Sequence, residues 1–224
     1  MFMLLNNNYQ PGRIENYITN GDLEALDAVL KQNPSLAKKP TSHNISPLML
    51  SCYFKKPEVT EFLLQYVDEV NLFEAVAAGK YDVVSKLISK YPEAINYYAE
   101  DGFTPLGLAC YFGQYEIARH LVIQDADINM ASINGFNIFP IHSAAAGDHA
   151  DIAELLIECG ADVNVKQAAG VTPLHSAAQN GNVDMLILLL ESGADTSLKM
   201  DGGKRACDLA REQGFVQIAE ALSR

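Results

Sequence analysis

The sequence predicts an all-α solenoid, a stack of helix-turn-helix units, and three observations carry that prediction. The triplet Cys-Tyr-Phe occurs at 52–54 and again at 110–112, 58 residues on, each time after a proline-led apolar run. Helix starts of one form recur, at Ser46-Pro47-Leu48, Thr104-Pro105-Leu106 and Thr172-Pro173-Leu174. A second amphipathic segment follows each start, with apolar residues at i, i+3 and i+4 spacing. No single unit can bury such a face alone, whereas stacked units can.

Aligned on the proline column, the units stand at Arg13, Pro47, Asn71, Pro105, Pro140, Pro173 and Ala206, with steps of 34, 24, 34, 35, 33 and 33 residues. Both Cys-Tyr-Phe copies then fall five residues after their prolines, so the duplication is the repeat itself. The Ser-Pro and Thr-Pro starts have a physical reason, while the proline column holds Arg13, Asn71 and Ala206 in repeats one, three and seven. A Ser or Thr hydroxyl caps orphan N–H groups, and proline at the next position loses no hydrogen bond. Alanine pairs let neighbouring helices approach closely. Gly21, Gly79, Gly181 and Gly214 share the column between first and second helices, where a left-handed turn is needed. The second helices carry Val83, Val84, Leu87 and Ile88, then Ile117, Leu121 and Val122, then Ile152, Leu155 and Leu156. The last unit, Lys204–Gln213, is polar, as a terminal cap facing water must be.

On the run Thr172-Pro173-Leu174-His175-Ser176-Ala177-Ala178, on its shorter echoes at Phe139–Ala145 and Gly102–Cys110, and on the Gly-Ala-Asp turns at Gly160–Asn164 and Gly193–Thr196, the chain resembles the ankyrin repeats. The mixed turn style resembles bacterial ankyrin repeat domain-containing proteins. The resemblance covers nearly the whole chain. It implies a single domain over 1–224, with short β-hairpin fingers between helix pairs and approximate repeats at 10–40, 44–67, 68–98, 99–131, 132–166, 167–199 and 200–224. It further implies a groove, formed by first-helix ends and finger tips, that holds protein partners. At His142 and His175 it implies an imidazole that bonds backbone and ties neighbouring repeats together.

Several places depart from the pattern. The short step after Pro47 leaves no room for a finger, so a finger-less junction is expected near 68–71, with a local change of curvature. The finger at 132–139 is two residues longer than its neighbours and offers apolar residues that folding does not need. Phe139 replaces the capping hydroxyl, and Asp148 stands in the turn-glycine column. Met1–Leu5 is expected either to cover the end of repeat one or to be disordered.

Composition narrows the function. With 28 acidic against 16 basic residues, the formal net charge is −12. Such a surface repels phosphate backbones and anionic membranes, so neither nucleic acid nor membrane is expected as a ligand. The four cysteines are widely spaced and form no CxxC, which fits a reducing compartment. The apolar start, five residues, falls short of a signal peptide, and the longest apolar run, Met185–Leu190, is six residues. A cytoplasmic protein is expected. No catalytic, metal or cofactor motif is present, so no catalytic residue, metal or cofactor is expected and the chain is read as non-enzymatic. Acidic pairs such as Glu100-Asp101 fall in turns and read as solvated. Cys52 and Cys110 read as small apolar fillers.

The two residues before the turn glycine end each inner helix and face the groove in the family. Here they are Thr19/Asn20, Tyr53/Phe54, Ala77/Ala78, Tyr111/Phe112, Ala146/Gly147, Gln179/Asn180 and Glu212/Gln213. Two aromatic ridges thus flank a small-residue trough. With finger residues Tyr98, Phe103, Ile133, Phe136 and Val171, they define a partner-binding set: Tyr53, Phe54, Tyr98, Phe103, Tyr111, Phe112, Ile133, Phe136, Val171, Gln179 and Asn180. Large apolar groups clustered at solvent-facing positions mark interaction sites. The expected function is a protein–protein interaction module, monomeric or weakly dimeric, whose partner carries basic groups around an apolar centre. The rivals are a regulatory or inhibitory subunit of an enzyme, an exported effector engaging host proteins, and an enzyme or small-molecule binder built in the groove.

Overall fold

The computed structural model describes residues 13–42 and 44–223. Met1–Leu5 and His43 lie outside the described residues. The chain packs as two compact units, one up to Val84 and the other from Ser85.

The first unit holds α1 (Arg13–Asn20), α2 (Leu23–Gln32), α3 (Pro47–Tyr53), α4 (Pro57–Leu64) and α5 (Leu72–Ala77). Helix α6 (Tyr81–Lys90) spans the boundary. The second unit continues with α7 (Pro105–Tyr111), α8 (Tyr115–Ile123), α9 (Pro140–Gly147), α10 (Ala150–Glu158), α11 (Pro173–Asn180), α12 (Val183–Glu191), α13 (Ala206–Glu212) and α14 (Val216–Ala221). Short 3-10 turns at Pro34–Ala37, Pro92–Asn96 and Ala168–Gly170 punctuate the links.

The expected start signals operate as chemistry. Ser46 Oγ accepts the N–H of Met49 at 3.1 Å, and Thr104 Oγ1 accepts that of Gly107 at 3.0 Å. At α5 the cap is Asn71, whose Oδ1 accepts Glu74 N–H at 2.9 Å while Glu74 Oε2 accepts Asn71 N–H at 3.1 Å. This corrects the alignment by one residue. Asn71 holds the capping place of Ser46 and Thr104, and Leu72 holds the proline column. A capping box supplies the start signal there without proline.

Within each unit, first helices pack on first helices, α1 with α3 and α3 with α5, then α7 with α9, α9 with α11 and α11 with α13, and α1, α3, α7, α9, α11 and α13 each pack on the second helix that follows. The core is built from Leu26, Leu30, Leu48, Leu50 and Leu63 in the first unit. Leu106, Leu108, Leu121, Ile141, Ile152 and Leu156 do the same in the second. Fully burying one such side chain contributes roughly 1.5–3 kcal/mol, which makes these stripes the main force holding a unit together. Cys52 and Cys110 sit inside this packing, and burial pushes the Cys52 thiol up to about 11 and Cys110 higher still. Neither is a thiolate near neutrality.

Among the described residues there is no strand. The expected β-hairpin fingers are instead tight loops. Three of them are each closed by one crossing bond, Ala99 N–H to Phe103 C=O, Gln167 N–H to Val171 C=O and Met200 N–H to Lys204 C=O, all at 2.9 Å. Three residues between the bonded pair leave room for a turn but not for a ladder. Residues 65–71 link α4 to α5, and 124–139 link α8 to α9.

Candidate partner-binding surface

Most of the candidate residues lie in the second unit, several of them on loops tied by identifiable hydrogen bonds. In the 132–139 loop, Ser132 is buried, and its N–H donates to Ile138 C=O at 2.9 Å. Its hydroxyl donates to Asn134 Oδ1 at 2.8 Å and accepts Ile138 N–H at 2.9 Å, while Asn134 Oδ1 also accepts Phe136 N–H at 3.2 Å. The loop is tied on both sides. Ile133 N–H donates to Gly102 C=O at 2.9 Å, and Ala168 N–H donates to Phe136 C=O at 2.7 Å. Asp201 N–H continues the series onto Ala169 C=O at 2.7 Å. The approach at Gly102 is so close that a Cβ there would stand 2.8 Å from Asn134 N, and its φ is +81°. Only glycine fits that place. On this braced loop Ile133 is 65% exposed and Phe136 38% exposed.

At the end of α7, Tyr111 and Phe112 meet edge to face, ring centroids 5.1 Å apart at 79°. Both are half-buried, and burial raises the Tyr111 phenol above its ordinary value. Phe103 is half-buried beside Gly107, and Val171 is half-buried one residue before α11's cap. Gln179 is exposed.

Other candidates take different places. Tyr53 is 8% exposed, so it packs within the first unit instead of facing solvent; Phe54 beside it is half-buried. Tyr98 is half-buried and its hydroxyl donates to Ala131 C=O at 3.1 Å. The exposed ring is its neighbour Tyr97. Adjacent residues on extended backbone point to opposite faces, so naming one of the pair from sequence was a choice between two sides. Asn180 Nδ2 donates to Asp148 Oδ1 at 2.9 Å and reaches Ala145 C=O at 3.4 Å, which makes it a brace between repeats. Sequence reasoning missed Ser132 and Asn134, the two residues that shape the loop; the Asn134-Gly135 dipeptide was the signal.

The histidines brace repeats as the resemblance implied. His142 Nε2–H donates to Val171 C=O at 3.0 Å and His175 Nε2–H to Lys204 C=O at 3.3 Å. Thr172 Oγ1 lies 2.8 Å from His175 Nδ1. Phe139 offers no such hydroxyl. His142 Nδ1 is accordingly buried without a partner among the described residues, its ring packed on Phe139 with centroids 5.8 Å apart. Burial depresses the His142 imidazole to about 4.

The profile of the family described as ankyrin repeats (3 copies) matches residues 71–132 and 130–200. Those matches span more than half of the chain, which belongs to the ankyrin-repeat family. It is 30% identical over 141 residues to the probable 26S proteasome regulatory subunit p28 of Saccharomyces cerevisiae, an alignment covering 63% of this chain and 52% of that protein. It is 32% identical over 153 residues to alpha-latrocrustotoxin-Lt1a of Latrodectus tredecimguttatus, covering 57% of this chain and 11% of the toxin. It is 34% identical over 88 residues to the human ARF GTPase-activating protein GIT1, covering 39% of this chain and 11% of that protein. The chain therefore matches about half the length of the yeast protein and about a tenth of the other two. Among the described residues, no helix is long and apolar enough to cross a membrane.

Proposed function

We propose that the chain is a non-enzymatic, cytoplasmic protein–protein interaction module that holds a partner protein on its concave face and loop tips. The observation that carries this reading is the 132–139 loop. It presents Ile133 and Phe136 to solvent while bonded to the loops before and after it. Apolar groups on a preorganised frame lose little entropy on binding, so their burial converts to affinity. Tyr111 and Phe112 add aromatic area of the kind that anchors interfaces. Membership of a repeat family built for such contacts supports the same conclusion.

The test is capture from native lysate with wild type and with Ile133→Ser/Phe136→Ser, both first shown to keep the same thermal unfolding transition. The expected result is a partner held by wild type and lost by the double variant. Retention of the same partners by both would contradict this reading. A second reading, a regulatory subunit of an enzyme, is favoured by the likeness to a protein named as a proteasome regulatory subunit. It predicts that the captured partner is an enzyme whose turnover changes when the chain is added.

A further inference from the structure

Helix α12 presents a second surface, independent of the loop tips. Its core side is Met185, Leu186 and Leu189, all buried. Turned away from these, Val183, Ile187 and Leu190 form a stripe at i, i+4 and i+7, exposed by 52%, 50% and 39%. The place of Ile187 is instructive. Fourteen residues after their prolines, the two preceding repeats carry Arg119 and Glu154, both exposed and charged. The third carries isoleucine, on a helix whose fold does not need it there.

The surroundings fix the chemistry of what would cover the stripe. Exposed carboxylates stand on α12 itself (Asp184 and Glu191), on α10, which packs against it (Asp151, Glu154 and Glu158), and on the last helix α14 (Glu220). Helices α10, α12 and α14 contain no lysine or arginine. Among the described residues none of these six carboxylates has an ion-pair partner. An apolar stripe on a helix pair whose only charged side chains are unneutralised carboxylates repels a second copy of the same surface and an anionic lipid surface. It attracts an apolar seam bordered by positive charge.

We propose that the outer face of α12 is a second docking surface, for a basic amphipathic helix of a partner protein. Such a helix lays apolar residues at i, i+3 or i+4, and i+7 along Val183, Ile187 and Leu190. Its lysines and arginines meet the α10 and α12 carboxylates.

The probe is a short, fluorescently labelled Leu/Lys amphipathic helix, titrated with the full chain at physiological salt and read by anisotropy. The Leu/Glu counterpart of the same length is the control. Ile187→Glu is the discriminating variant. It adds negative charge, so purely electrostatic association would tighten, whereas docking on the stripe would weaken by about tenfold or more. Leu190→Glu serves as a second variant, and both must keep the wild-type unfolding transition. Expected results are binding of the Leu/Lys helix, its loss with either variant, weakening by Glu154→Lys/Glu158→Lys, and no change with Ile133→Ser/Phe136→Ser. The proposal is overturned if Ile187→Glu leaves affinity unchanged or raises it, or if the Leu/Glu helix binds equally well. It is also overturned if sedimentation shows self-association of wild type that Ile187→Glu abolishes, since the occupant is then a second copy.

Discussion

His142 and His175 occupy the same place in successive repeats yet differ by one partner. Thr172 supplies a hydroxyl to His175 Nδ1, and Phe139 leaves His142 Nδ1 with none. A buried imidazole in that position must stay neutral, and its folded pKa falls from 6.5 to about 4. The unfolded chain takes up this proton near pH 6.5, the folded chain only near pH 4. Stability from this group is therefore complete above pH 6.5 and declines as pH falls toward 4. The loss is on the order of 3 kcal/mol. The difference in urea stability between wild type and His142→Gln is expected to shrink across that window; parallel pH profiles would refute the assignment. The sequence made the brace legible, since the histidine column is a repeat property. The orphan nitrogen followed from a single substitution, threonine to phenylalanine at the cap, and was legible only as a missing hydroxyl.

At the scale of elements, the turn between first and second helices takes a left-handed residue, and two repeats fill it without glycine. Lys55 has φ 52° and Asp148 φ 63°. An L-residue there costs roughly 1–2 kcal/mol. Lys55 is exposed, so Lys55→Gly should raise stability by about 1 kcal/mol. Asp148 differs because its carboxylate accepts from Asn180 Nδ2 at 2.9 Å and Asn182 Nδ2 at 3.4 Å. Asp148→Gly should therefore gain less than Lys55→Gly, or lose stability. Equal gains in urea midpoint would show that those bonds contribute nothing. The aspartate's misfit was legible in the sequence. Its compensation was not, because it comes from a residue one repeat away that was read as a partner contact. The same limit explains Tyr53 and Tyr98: the repeat register places a residue at a helix end or in a loop, but burial depends on what packs over it. Three of the strandless loops follow from length, since three residues between bonded pairs make a turn and the family pattern alone does not count them; in the longer 132–138 loop the Ser132 hydroxyl accepts the Ile138 N–H that a ladder would use.

At the scale of the whole molecule, a repeat architecture separates stability from function. Buried apolar columns recur from repeat to repeat, so departures from the pattern stand out. Some departures are structural compensations, as at Asp148. Others, such as Ile133 and Phe136 on the long loop, carry exposed apolar area that the fold does not use. Fold class and repeat family were legible in the sequence because periodicity repeats the same information several times. The surface was only partly legible, because a binding residue appears once and has no internal copy against which to read it. The most direct test of the central claim is site-specific photo-crosslinking in cells, with a benzophenone side chain placed at Phe136 and, as control, at the exposed Arg119 on α8. The account predicts a discrete covalent adduct with a partner protein from position 136 and none from 119. An adduct from 119 with none from 136 would contradict it.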